Sequence, residues 1–98
     1  MLILDDVKTA LRISINNTAF DSEITDLIAA ARADLRLSGI LESKVNDATD
    51  PLIKRAIMVY VKGNFGWNNP DAEKLQQSYA MIKGHLALSQ EYTKEAVG

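Results

Sequence analysis

Apolar residues recur at helical spacing in four segments of the chain. The first segment is short, about Asp5–Ile13, and the second spans about Ser22–Ser38. Apolar positions three or four residues apart, with most charges on the other side, are typical of a helix packed on one face. The second segment has this pattern at Ile24, Leu27, Ile28, Ala31 and Leu35. Gly39 follows where a left-handed residue would end that helix, and Ile40 could fold back onto it.

The third segment, about Pro51–Phe65, is apolar around nearly its whole circumference after the first turn. Asp50 followed by Pro51 is a start signal, because an N-cap residue precedes a proline at the first helical position. The β-branched residues of this segment would suit a strand, but its length and its start signal favour a helix. Helices without a polar face are normally covered by others. We therefore expect this helix to be central.

The fourth segment, about Pro70–Glu91, opens on a second cap-plus-proline pair, Asn69-Pro70, and carries an apolar stripe. The intervening segments at 14–20 and 41–49 read as connectors. The end of the chain from Tyr92 has few packing residues, and we expect it to fray unless a partner holds it. The pattern predicts an all-α fold, a small bundle of about four helices around an apolar third helix. Residues 1–92 would form one domain and residues 93–98 a flexible tail.

Composition narrows the environment and the chemistry. The chain of 98 residues has a formal net charge of −2 and no cysteine, which rules out a disulfide scaffold and a cysteine metal site. The acidic balance weakens non-specific nucleic-acid binding, which depends on pairing phosphates. The N-terminal residues lack the basic region of a signal peptide, and no stretch approaches the ~20 apolar residues of a membrane span. These features predict a cytosolic protein without membrane contact.

Catalytic constellations are difficult to assemble from this sequence. His85 is the one histidine, so the usual zinc sites and nucleophile–base pairs have too few members. Aspartates cluster at predicted helix starts, among them Asp21 as the expected N-cap of the second helix. Capping explains them better than acid–base catalysis. The segment from Gly63 to Gly66 lacks the lysine and hydroxyl that end a phosphate loop. We predict that the protein is not an enzyme and has no metal or cofactor.

Two surface features remain open. Five basic residues could form a strip, although interleaved acids favour ion pairs or a solvated face: Arg12, Arg32, Arg36, Lys54 and Arg55. Trp67 could cover the core or anchor a partner, since tryptophan is enriched in binding hot spots, and packing is the favoured interpretation. The alternative function to be weighed is a helical DNA-binding or DNA-packaging accessory protein.

The order and spacing of several sequence pieces resemble the head–tail connector family of tailed phages and prophages, also called head-completion adaptors. The resemblance extends from Leu2 to Tyr92. It is carried by Asp5–Ile13, Asp21–Ile24 with Leu27–Arg32, Asp50–Ile57, and Asn64–Gly66 with Asn69–Lys74. Each piece is a weak motif, but their order and the total length are more specific.

This resemblance implies a structural virion protein at the head–tail junction, assembled in the cytoplasm of the bacterial host. Family members form a ring, typically of twelve subunits, beneath the portal. The ring extends the DNA channel and docks the next head-completion or tail protein. Implied partners are therefore further copies of the chain, the portal and that next protein, while DNA passes through without specific binding. The family has no catalytic residues.

Two hypotheses place these contacts on the chain. The exposed side of the second helix would make charged subunit contacts through Asp26, Arg32 and Arg36. The segment from Glu91 to Gly98 would become ordered on the portal, as disordered segments do on binding. The residues expected to contact the portal or another partner are Trp67, Glu91, Tyr92 and Lys94.

Overall fold

The computed structural model describes residues 3–66 and 69–95. This part of the chain is all-α, as predicted. Its helices are α1 (Ile3–Ala10), α2 (Asp21–Leu37), α3 (Glu42–Val45), α4 (Pro51–Asn64), α5 (Ala72–Leu88) and α6 (Gln90–Thr93). The four longer helices correspond to the four predicted segments. The two short ones are additions, since α3 lies in the expected connector at 41–49 and α6 is separated from α5 at Ser89.

Helix α4 is central, as its apolar sequence predicted. It packs against α1, α2 and α5, and it buries Ile53, Ala56, Ile57, Val59 and Val61. The rings of Phe20 and Phe65 meet edge to face at 5.6 Å, which brings the start of α2 to the end of α4. Gly63 lies against the first turn of α5. Both α2 and α5 therefore run antiparallel to α4 and point in the same direction.

Two of the predicted helix ends are confirmed. The Asp50 carboxylate accepts hydrogen bonds from the backbone N–H groups of Leu52 (2.9 Å) and Ile53 (3.2 Å), which caps α4. Gly39 has φ of +100°, and the Ile40 N–H returns to the Leu35 carbonyl at 3.2 Å. This closure satisfies carbonyls that the end of α2 would otherwise leave unpaired.

The start predicted for the fourth helix at Asn69-Pro70 is wrong by two residues. The Asn69 side chain donates to the Lys62 carbonyl at 2.7 Å and accepts from the Asp71 N–H at 3.0 Å. It is thus tied to the end of α4 and closes a tight turn, so it does not cap a helix. Helix α5 begins at Ala72.

A buried lysine joins α1, the following connector and α2. The Lys8 side chain is 2% exposed, and its Nζ lies 2.8 Å from the Asp21 carboxylate and donates to the Ile15 carbonyl at 2.9 Å. The pair corrects one expectation: Asp21 is the first residue of α2 rather than its N-cap, and no side-chain hydrogen bond caps that end. Its carboxylate neutralises the buried ammonium instead.

Helix α1 ends at Ala10, earlier than the predicted Ile13, because Arg12 adopts a left-handed conformation with φ of +62°. The N–H of Ile13 bonds the Lys8 carbonyl at 2.9 Å, and the N–H of Arg12 bonds the Thr9 carbonyl at 3.0 Å. This is the closure that Gly39 gives to α2, made here by a residue with a side chain. The turn directs the connector back over Lys8.

A polar contact fixes α2 against α5. The Asp34 carboxylate accepts from the Tyr79 hydroxyl at 2.6 Å and from the Lys83 ammonium at 3.0 Å. The Tyr79 hydrogen bond, followed by Lys83, holds the pKa of Asp34 below its usual value. Burial, and then Asp34 itself, raises the pKa of Tyr79. The Tyr79 ring also meets the Tyr60 ring of α4 at 5.0 Å, so this contact joins α2, α4 and α5.

The buried ion pair predicts an asymmetry between two substitutions. Asp21→Asn leaves a buried ammonium without its counter-charge, and we expect it to lower the free energy of unfolding by about 3 kcal/mol. Lys8→Met removes the buried charge at similar volume and leaves a carboxylate that is 30% exposed, so a loss of about 1 kcal/mol is expected. Urea denaturation measures both. A larger loss for Lys8→Met would contradict this account.

Two helical glycines predict opposite effects of alanine. A Cβ at Gly84 meets nothing within 4 Å, so Gly84→Ala should stabilise α5 by about 1 kcal/mol. A Cβ at Gly63 would lie 3.1 Å from the Leu75 Cβ, so Gly63→Ala forces α4 and α5 apart and should cost about 1–3 kcal/mol. Thermal unfolding of the two variants compares them directly. Equal shifts in Tm would show that α4 and α5 do not approach closely here.

Candidate functional site

The segment that follows α5 is attached to the body of the protein. Tyr92 is only 5% exposed, and its hydroxyl bonds both oxygens of the Asp50 carboxylate at 3.1 and 3.0 Å. Its carbonyl accepts from the Leu41 N–H at 2.9 Å. The expectation that the chain frays from Tyr92 is therefore wrong at this residue. The reason is that the carboxylate which caps α4 also binds the tyrosine.

An open groove of about 610 Å³ lies between α3 and α6. It is lined by one apolar residue and six polar or charged ones, with charges of both signs: Leu41, Ser43, Lys44, Gln90, Glu91, Lys94 and Glu95. The Lys44 ammonium lies 5.4 Å from the centre of the Tyr92 ring, a cation–π distance. Its charged side chains, Lys44, Glu91, Lys94 and Glu95, offer ion-pair partners of both signs on an open surface.

The residues expected to contact a partner have different positions. Glu91 and Lys94 are exposed and line the groove. Tyr92 lies beneath them, and its hydroxyl and ring are engaged within the chain. Trp67 lies outside the described residues. The structure therefore brings together two of the four residues at one surface and gives Tyr92 the role of fixing that surface in place.

The three residues expected to make subunit contacts also differ in their surroundings. Asp26 is exposed on α2. Arg32 donates from Nε to the Val45 carbonyl at 3.1 Å, and Arg36 pairs with Glu42 at 3.3 Å. These two arginines hold α3 against α2. This arrangement could not be predicted from the sequence, because a four-residue helix is too short to show a period, and Val45 is its single buried residue.

Much of the basic strip is engaged with groups of its own chain. Lys54 pairs with Asp6 at 3.2 Å, and Arg32 and Arg36 have the partners just described.

Within residues 3–66 and 69–95, no group of three or more potential ligands could hold a metal ion. None of the helices in these ranges has the length and apolar character of a membrane span. His85 is exposed on α5.

A family model described as "Phage connector protein" matches residues 3–93 of this chain. The matched range begins at the first residue of α1 and ends at the last residue of α6. No curated protein and no solved structure matches the chain.

The surroundings of Tyr92 should make the free energy of unfolding depend on pH in a measurable way. Burial and the neighbouring Asp50 raise the pKa of Tyr92 to about 12, whereas a phenol in an unfolded chain titrates near pH 10. The folded state holds the proton more tightly, so the stability contributed by Tyr92 is complete below about pH 10 and is lost as the pH rises toward 12. Tyr92→Phe should therefore cost about 1–2 kcal/mol at neutral pH.

The measurement is urea denaturation of the wild type and Tyr92→Phe from neutral to alkaline pH. The difference in unfolding free energy should shrink above about pH 10. Tyr60→Phe is the matched control, because the Tyr60 hydroxyl makes no side-chain hydrogen bond among the described residues. A difference between wild type and Tyr92→Phe that stays constant with pH would contradict the assignment.

Proposed function

The chain belongs to the phage connector protein family, and on this basis we propose that it forms a ring beneath the portal of a tailed phage. Membership of this family makes it a head–tail connector protein and a virion component. In our proposal the ring extends the DNA channel and docks the next head-completion or tail protein. The observation that carries the proposal is the family match, because it spans every helix from α1 to α6.

Ring formation requires two different faces on each subunit, since neighbours related by rotation meet head to tail. The described body has principal extents of 44 × 28 × 18 Å, and it exposes the outer sides of α2 and α5. We propose that the exposed side of α2, including Asp26, contributes one of the two faces. Arg32 and Arg36 support that face by fixing α3 beside it.

The charge distribution suits a conduit for DNA. The chain carries a net charge of −2, and several of its basic groups are neutralised by its own acids. A surface of this kind does not gather phosphates, so DNA can pass without being held. A DNA-packaging accessory protein would instead bind DNA with an affinity that falls steeply as salt increases.

We assign portal docking to the groove between α3 and α6. Glu91 and Lys94 line it, together with Lys44, and the Tyr92–Asp50 contact fixes its α6 side to the core. An open, mixed-charge groove accommodates an extended polar segment, with specificity set by charge pairing along its length. The remainder of the segment up to Gly98 would add further contacts with the portal.

A truncation tests the docking proposal without removing the structural tyrosine. Deleting residues 94–98 keeps α6 and Tyr92 but removes Lys94 and Glu95 from the groove. We expect weaker binding to portal rings of the same phage and an unchanged unfolding free energy. Lys94→Glu should act in the same direction, while Lys62→Glu, at the opposite end of α4, is the matched control. Portal binding that survives the truncation would refute this assignment.

The ring itself is tested by native mass spectrometry and negative-stain imaging, alone and with portal rings. A closed oligomer is expected, with no detectable affinity for duplex DNA at physiological salt. Salt-dependent DNA binding by a protein that remains monomeric on the portal would favour the packaging alternative.

A further inference from the structure

The outer face of α2 carries a regular stripe. The third, sixth, tenth, thirteenth and seventeenth residues of this helix lie on its outer side: Glu23, Asp26, Ala30, Ala33 and Leu37. All are exposed except Ala33, which is half-buried, and Leu37 is 87% exposed. Glu23 lies at the edge of this side, and its carboxylate also accepts a hydrogen bond from the Gly66 N–H at 3.4 Å. Steps of three and four residues are those of the a and d positions at which two helices meet in a coiled coil.

The outer face of α5 carries a stripe at the same five positions. Both helices have 17 residues, and in α5 these positions are Lys74, Gln77, Met81, Gly84 and Leu88. All five are exposed. Met81 is 65% exposed and Leu88 is 87% exposed. These two large apolar side chains lie in line along the helix, so they offer apolar contacts to a second helix that packs along this face.

The two stripes are complementary when they are aligned position by position. Glu23 lies opposite Lys74, which pairs opposite charges, and Asp26 lies opposite Gln77, an amide that can donate to a carboxylate. Ala30 leaves room for Met81, and Ala33 with Gly84 allows the two backbones to approach closely. Leu37 then meets Leu88. No pair in this alignment places like charges together or a large apolar side chain against a charge.

The fold also provides the required orientation. Helices α2 and α5 both run antiparallel to α4, so they point in the same direction within one copy. Neighbours in a large ring are related by a small rotation, which preserves that direction approximately. Helix α2 of one copy can therefore lie parallel to α5 of the next, and in a parallel pair equal heptad positions face each other.

We propose that α2 of each subunit packs in parallel along α5 of its neighbour, with Glu23 against Lys74 and Leu37 against Leu88. This seam is the subunit contact of the ring, so the inference rests on the proposed ring. It refines the hypothesis drawn from the sequence: Asp26 lies within the seam, whereas Arg32 and Arg36 lie beside it.

The size of the seam has a consequence for assembly. A 17-residue helix is about 26 Å long, and one helix pair buries less than the roughly 800 Å² per partner of a standard stable interface. An isolated pair of subunits is therefore weak. Each subunit of a closed ring has two seams, so closure favours the complete ring over partial assemblies.

Cysteine pairing tests the seam directly, because the chain has no cysteine of its own. Leu37→Cys and Leu88→Cys are prepared separately, mixed in equal amounts, assembled and oxidised. Both positions are exposed, so each variant should fold. A disulfide between the two variants should exceed the disulfides within either variant several-fold, since equal pairing of 37 with 37 or of 88 with 88 requires a different interface.

The outcomes separate this inference from the ring proposal. Rings that form without a disulfide between the two variants would overturn the seam and leave the ring intact. A dominant disulfide between two Leu88→Cys copies would replace the seam with a symmetric α5 pair. Failure of the wild type to assemble, both alone and on portal rings, would overturn both proposals.

A charge exchange provides the second test. Glu23→Lys and Lys74→Glu should each weaken assembly about fivefold, because like charges then face each other across the seam. The double exchange should restore assembly. Glu73→Lys is the matched control, since Glu73 is exposed on α5 but lies off the stripe. If both single variants and the control behave alike, the proposed pairing is wrong.

Discussion

Helix α4 has almost no polar face, and this constraint determines what the other long helices can do. Each of α1, α2 and α5 must turn its apolar side toward α4, because apolar surface left in water is the main cost that folding removes. A chain of 98 residues has few apolar residues left to cover the outward sides of these helices as well. The outward sides of α2 and α5 are consequently available for contacts with other molecules.

Apolar packing alone would leave the covering helices able to slide and rotate on α4. Polar contacts restrict these movements at three places, through Lys8, Asp34 and Asp50. Each joins segments that are distant in sequence or on different helices, and each involves a charged group whose unpaired burial would be unfavourable. A wrong arrangement therefore loses a specific contact as well as packing. Such specificity matters for a protein that acts through the geometry of its surface.

Local signals in the sequence predicted most of the framework. The long helices have strong periodicity, and the Asp50-Pro51 start and the Gly39 end follow from backbone chemistry at single residues. Two of the errors lie where a partner elsewhere in the chain decides the outcome, whereas the early end of α1 follows from the left-handed conformation of Arg12. Asn69 binds the end of α4 rather than capping α5, and Tyr92 is held by a carboxylate 42 residues away. No residue near Tyr92 in the sequence indicates that Asp50 is its partner.

The candidate surfaces were likewise hard to predict where a residue's role depends on a partner elsewhere in the chain. A lysine in the first helix is expected to face water, and the burial of Lys8 depends on Asp21 arriving from the next helix. The two arginines of α2, Arg32 and Arg36, suggested subunit contacts by their charge, but both support α3. The matching stripes of α2 and α5 could have been read from the sequence once their helix starts were known. The error of two residues at the start of α5 concealed that correspondence.

Asp50 has a further consequence because one carboxylate serves both the first turn of α4 and the hydroxyl of Tyr92. The end of the chain and the beginning of the central helix are thereby thermodynamically linked. A protein that occupies the groove and restrains Tyr92 also restrains the amides of Leu52 and Ile53, which should then exchange their hydrogens more slowly. Linkage is reciprocal, so a subunit with a well-formed first turn in α4 presents a better-ordered groove. Docking at the surface and rigidity in the core are in this sense a single equilibrium.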